Sequence, residues 1–137
     1  MKPRDDLKPL RSDVASMANE LFSIVGIPFE QTTELQRQLL ASFGFGMLFA
    51  VGQIEKLSPP EVDALAIMLL MDVFKYSPQQ AGEFTELLIN SSSSGGSGDA
   101  TIKAIIHRGI DGHRQWQAKQ VLELRSNIKE IFAATGA

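Results

Sequence analysis

Residues 58–76 read SPPEVDALAIMLLMDVFKY, and no other stretch limits the fold as strongly. A serine is followed by two prolines and, three residues on, by a glutamate. That is a helix start: serine and glutamate side chains satisfy free amides of the first turn, and proline has no amide to satisfy. From Ala64 to Met71 every residue is apolar, so this helix has no polar side to give to water. The run is far shorter than the ~18–20 residues that span a bilayer. Other protein must therefore cover it. The sequence predicts a buried central helix over about 59–75, with Met68 and Met71 as core filler.

The rest of the chain supplies helices to do the covering. Thr33 with Gln36, and Ser77-Pro78-Gln79-Gln80, repeat the capping spacing. Ser12 precedes a segment with Val14, Met17, Leu21, Ile24 and Val25 on one face; Gly26 offers a stop and Pro28 prevents continuation. After Thr33, the residues Leu35, Leu39, Leu40, Phe43, Met47, Ala50, Val51 and Ile54 recur at helical spacing. Gly44, Gly46 and Gly52 inside that segment each cost about 1 kcal/mol relative to alanine. They point to close approach of a neighbouring helix, with Phe43, Phe45 and Phe49 around it. A phosphate-binding loop does not fit, since no strand precedes FGFG and no lysine follows at the needed place.

After Ser77, Ala81, Phe84, Leu87 and Leu88 face inward and Asn90 is a stop. SSSSGGSG, residues 91–98, reads as a flexible loop with nothing to bury. Asp99 then caps a short helix through Ile105 and Ile106. A long final helix is expected from about Gly112 to Ala134, with Trp116, Val121, Leu124, Ile128 and Ile131 or Phe132 inward. Sustained strand alternation is missing. The expectation is an all-α, single-domain chain over 1–137. It is an orthogonal or up-down bundle of about five to six helices, flexible at 1–10 and 91–98.

Composition removes several functions. Without cysteine there are no disulfides, thiolate zinc sites or cysteine nucleophiles. Net charge is −3, with +3 from Lys103 onward and −6 before it. That is far from the basic stripe of a nucleic-acid binder, and a basic partner is easier to credit. The opening MKPRDDLKPLRSD lacks the apolar centre of a secretory signal, and no run spans a membrane, so a cytoplasmic protein is expected.

IHRGIDGHRQW, residues 106–116, concentrates both histidines and the sole tryptophan. A metal site is disfavoured. His107 and His113 are six apart, about 240° around a continuous helix, and no third histidine exists. Acid–base chemistry would need a pocket and partner that the sequence does not locate. Serine catalysis lacks its strand-to-helix turn. As plain structure the segment is a helix joint: Gly109 ends one helix, Asp111 caps the next, and Trp116 enters the core. Its residue types also suit a protein interface. The partner-binding candidates are therefore Tyr76, His107, Arg108, Asp111, His113, Arg114 and Trp116. A second candidate surface is acidic: Glu55, Glu61, Asp63, Asp72, Glu83 and Glu86, with Asp63 and Asp72 read as solvated.

The order of phrases GIPF, FGFGM, SPPEVDALAIMLLMDVFKYSPQQAGEF and IIHRGIDGHRQW resembles a helical family of bacterial immunity proteins encoded beside polymorphic toxins. The likeness runs from Leu21 to Trp116, and VFKYSPQQA and IIHRGIDG are its most distinctive phrases. Residues 91–98 are longer and poorer in composition than that pattern. The resemblance implies a non-enzymatic inhibitor without a cofactor, which binds and blocks a cognate toxin protein. An exposed apolar face on the first or last helix would also permit a homodimer. The alternative is a helical domain that binds a small molecule or lipid in a cavity between Phe43–Phe49 and Met68–Met71.

Overall fold

A computed structural model describes residues 7–93 and 99–137. Six α-helices and one 3-10 turn make up the described chain, which has no strand among those residues. The helices are α1 (Lys8–Val25), α2 (Glu34–Ile54), α3 (Pro59–Asp72), α4 (Pro78–Ser92), α5 (Ala100–Gln117) and α6 (Val121–Thr135), with the 3-10 turn at Phe29–Gln31 between α1 and α2. All six contribute to one hydrophobic cluster.

The helix starts follow their capping chemistry. Thr33, Ser58 and Ser77 each accept the amide three residues on, while Gln36, Glu61 and Gln80 return a side-chain oxygen to the cap amide. The Asp99 carboxylate accepts the amides of Thr101 and Ile102. Helix α1 begins at Lys8 with Pro9 in its first turn, ahead of the expected Ser12. Lys8, Pro9 and Leu10 therefore depart from the expected flexible start, and residues 1–6 lie outside the described residues. Helix α4 runs past Asn90 to Ser92, where the Ser91 and Ser92 hydroxyls bond back to the carbonyls of Leu87 and Ile89. Those two residues of the expected loop 91–98 are thus helical, and residues 94–98 lie outside the described residues.

The central helix is α2, not the segment 59–75. Every residue from Leu39 to Leu48 is buried, and α2 packs on α1, α3, α5 and α6. Helix α3 buries Leu65, Ala66, Leu69 and Leu70, while Ile67, Met68 and Met71 are only half-buried. It also stops at Asp72, and a link through Lys75 follows. Apolarity on all sides does not by itself place a helix at the centre. Closeness of approach does, and α2 is the helix with small residues, Ala41, Ser42, Gly44 and Gly46, at its middle.

Its principal partner is α5. A Cβ on Gly46 would collide with the carbonyl oxygen of Ile106 and lie 2.9 Å from the Gly109 Cα. A Cβ on Gly109 would collide with the Phe43 carbonyl oxygen and lie 3.0 Å from the Gly46 Cα. The two helices thus cross backbone to backbone. Gly112 admits the Phe43 ring in the same way, since a Cβ there would lie 2.7 Å from Phe43 Cε1.

This crossing overturns the expected joint. Helix α5 passes unbroken through Gly109 and Gly112, with Ile105, Ile106, Gly109, Gly112 and His113 as one buried face. Gly109 ends nothing and Asp111 caps nothing. The break comes at residues 118–120. There the Gln120 amide donates to the Gln115 carbonyl and the Lys119 amide to that of Trp116, with Lys119 left-handed at φ 58°. That is a Schellman stop with lysine where glycine is usual. Gly26 closes α1 through the same pair of bonds. The final helix begins at Val121, which is 45% exposed and not inward as expected; Leu124, Ile128, Ile131 and Phe132 are its buried side.

Candidate functional site

The seven partner-binding candidates, Asp111 among them, do not form one patch. His107 is exposed on α5. Beside it, Arg108 donates from Nε to the Asn127 Oδ1 at 2.7 Å and from Nη2 to Glu130 at 3.2 Å. The Asn127 amide in turn donates to the Arg108 carbonyl and to Gln115, at 3.1 Å each. This network clips α5 to α6 at the edge of a shallow hollow of about 290 Å³. Asp111 borders the same hollow and pairs with Arg114 one turn on, at 2.9 Å. Both of these side chains are exposed.

His113 and Trp116 turn to the other side of α5. Their rings lie 6.2 Å apart, and the indole Nε1–H donates to Glu20 of α1 at 2.7 Å. His113 is buried, and burial holds its imidazole below its ordinary pKa because the charged form loses solvation. The two histidines border different hollows, His107 toward α6 and His113 toward α1. They do not converge on one point. Among the described residues no three His, Asp or Glu side chains are grouped to hold a metal ion.

The acidic candidates are likewise dispersed. Asp72, expected to be solvated, takes a bidentate bond from Arg11 at 2.8 and 2.9 Å, which ties α3 to α1. That hydrogen bond, with the added charge of Arg11, keeps the Asp72 carboxyl below the usual carboxylate range. Glu61 serves the Ser58 cap. Asp63 is half-buried on α3, while Glu55 ends α2 at the hollow against α1 and Glu86 is exposed on α4. Of the six, Glu83 borders a further concavity.

That concavity is a groove of about 640 Å³ where the N-terminal halves of α2, α4 and α5 meet. Leu39, Ser42 and Ile105 are its buried floor, and Phe84, Ile102 and Tyr76 are half-buried in its walls. Leu35 and Leu87 stand at the edge, 40% and 41% exposed. Both were expected to face the core. Around them are Glu34, Glu83 and Asp99. Tyr76 packs its ring edge-on against Phe84 at 5.7 Å. Its hydroxyl is buried without a hydrogen-bond partner among the described residues. Desolvation, then the negative charge of Glu34, push its pKa up to about 12, with Arg37 opposing. The helical spacing of Leu35 and Leu87 is visible in the sequence; that no helix among the described residues covers them is not.

Among the described residues, the packing argues against a cavity between Phe43–Phe49 and Met68–Met71. Phe43, Phe45 and Met47 are fully packed. A separate hollow of about 370 Å³ does touch Phe45 and Phe49, but Val62 and Ile89 bound it, and Met68 and Met71 do not.

No helix among the described residues is long and apolar enough to cross a membrane. Neither the curated proteins nor the solved structures contain a match to the chain. The family model described as immunity protein 48 does match, from Arg11 to Thr135, so it covers all six helices but for the first turn of α1. The chain belongs to the immunity protein 48 family.

Proposed function

We propose that this chain neutralises a cognate toxin by binding it directly, as one folded inhibitor to one toxin domain, in the cytoplasm of the cell that makes both. The observation that carries the reading is the family match over residues 11–135. The geometry agrees with inhibition by occupancy and not by turnover. His107 and His113 border separate hollows, and Arg108, Gln115 and Trp116 of the IHRGIDGHRQW segment are bonded to the neighbouring helices α6 and α1. Acidic surface charge would hasten the encounter with a basic toxin domain, and a desolvated apolar contact would then slow release.

The test is co-expression with the toxin reading frame next to this gene. The expected result is rescue of growth and a one-to-one complex on gel filtration with light scattering. His107→Ala should leave both unchanged. Failure to bind or protect against that product refutes the reading. Loss of protection in His107→Ala with binding intact would point to chemistry instead.

A further inference from the structure

The groove where α2, α4 and α5 meet combines three features that do not occur together elsewhere among the described hollows. Its floor and walls are apolar, through Leu39, Ile105, Ile102 and Phe84. Two large aliphatic side chains, Leu35 and Leu87, stand at its edge, 40% and 41% exposed among the described residues. Its charge is of one sign, since Glu34, Glu83 and Asp99 line it and none of the described lining side chains is cationic. An apolar patch rimmed by polar groups marks a contact site for another protein.

The neighbouring cations, Arg37 and Lys75, have partners of their own. The Arg37 guanidinium donates from Nε to the Thr32 hydroxyl at 3.1 Å and lies over the Phe29 ring at 5.5 Å. It also pairs with Glu34 at 3.5 Å, so one of the three groove carboxylates has a cationic neighbour. Lys75 donates to the Asp72 carbonyl at 2.8 Å. The carboxylates of the groove otherwise accept from neutral donors: Glu34 from Gln38, Glu83 from Gln79, and Asp99 from its own helix amides. Negative charge around an apolar trough is complementary to an amphipathic element whose apolar row is flanked by lysine or arginine.

We infer that this groove is the docking surface for the toxin, and that it receives a basic amphipathic segment of that protein. The inference rests on the proposed function and adds to it the surface and the chemistry of the partner. It favours the α2–α4–α5 groove over the His107–Arg114 end of α5, where Arg108 is bonded to Asn127 and Glu130 and Arg114 to Asp111.

The experiment measures association and dissociation rates with the purified product of the adjacent toxin reading frame. Leu35→Ala with Leu87→Ala removes exposed apolar contact and leaves the core in place. It should speed dissociation at least tenfold. Glu83→Lys should slow association several-fold and flatten its dependence on salt, because steering comes from the acidic rim. Arg114→Ala should change neither rate. Far-UV circular dichroism and melting confirm that each variant folds. If the wild-type chain binds but neither groove variant alters a rate, or if Arg114→Ala weakens binding more than they do, the groove is overturned while the proposed function stands. If the wild-type chain does not bind, that function falls and the toxin falls with it as occupant. A small molecule or lipid retained by the wild-type chain in native mass spectrometry, and lost from the leucine variant, overturns a protein occupant.

Discussion

The crossing of α2 and α5 makes a numerical claim about one methyl group. Gly46→Ala places a Cβ against the Ile106 carbonyl and 2.9 Å from the Gly109 Cα. These are backbone atoms inside a helix, so no side-chain rotation relieves the contact. The helices must separate. Over-packing a tight interior costs about 1–3 kcal/mol, and the backbone-to-backbone contact puts this case at the upper end, about 3 kcal/mol. Alanine in a helix returns about 1 kcal/mol of propensity. The expected net loss is therefore about 2 kcal/mol. A chain of this length is stabilised by roughly 7–15 kcal/mol, taking ~0.05–0.15 kcal/mol per residue within the usual ceiling.

Urea unfolding followed by Trp116 fluorescence reads the loss directly. With a slope near ~2 kcal/mol per molar, the midpoint falls by about 1 M. Gly82→Ala is the internal control. It is also helical, but nothing lies within 4 Å of its Cβ, so the propensity gain of up to ~1 kcal/mol should appear undiminished. Gly46→Ala with Gly109→Ala should cost less than the two singles added, because one separation of the helices relieves both clashes. If Gly46→Ala is as stable as the wild type, or gains like Gly82→Ala, the backbone crossing is wrong.

Three smaller outcomes follow from the same coordinates. Lys119 is left-handed at φ 58° in the stop between α5 and α6, so Lys119→Gly should raise the melting temperature slightly, the relief of ~1–2 kcal/mol of strain exceeding glycine's extra entropy of ~0.5–1 kcal/mol. His113 is buried with its pKa depressed by desolvation. Its stabilisation is complete above the unfolded value near ~6.5 and declines as pH falls below it, because the unfolded chain then binds the proton more readily. Stability measured by urea unfolding should fall from pH 7.5 to pH 5.5, and His113→Gln should flatten that slope. The Asp72 pKa is also lowered, by Arg11, but the acid limb it controls lies lower. The contribution is present above the unfolded value near ~3.9 and is lost as pH falls through the folded one. Asp72→Asn should make acid unfolding below about pH 4 shallower.

What could be read from the sequence was local chemistry. Thr33–Gln36, Ser58–Glu61 and Ser77–Gln80 start helices where their side chains dictate, since a cap depends on four consecutive residues and little else. The close approach signalled by Gly46 was also legible. Its partner was not, and the reason lies in the rule used for Gly109 and Gly112. Glycine after an apolar run reads as a stop, but here Ile105, Ile106, Gly109, Gly112 and His113 continue one helical face. The periodicity was in the residues and outranked the punctuation. The true stop, at Lys119, and a second left-handed lysine after α2, Lys56, carry no residue-type signal. Bond geometry makes those turns, and lysine pays the strain.

The groove was hidden for a different reason. Leu35 and Leu87 have the spacing of core residues because the helices that carry them are amphipathic, and periodicity reports which face is apolar, not what covers it. The placement of α2, α4 and α5 leaves that face exposed among the described residues. Leu39 and Ser42 on one helix and Ile102 and Ile105 on the other line the trough, and the two helices are locked a few residues further along at Gly46 and Gly109. A backbone contact without side-chain freedom fixes the spacing of those walls before any partner arrives. Less ordering then remains to oppose association, which is how a rigid site binds more tightly than its area suggests. The glycines that cost helix propensity inside α2 and α5 thus help set the width of the groove proposed to receive the toxin, and the stability of the fold and the shape of that groove depend on one crossing.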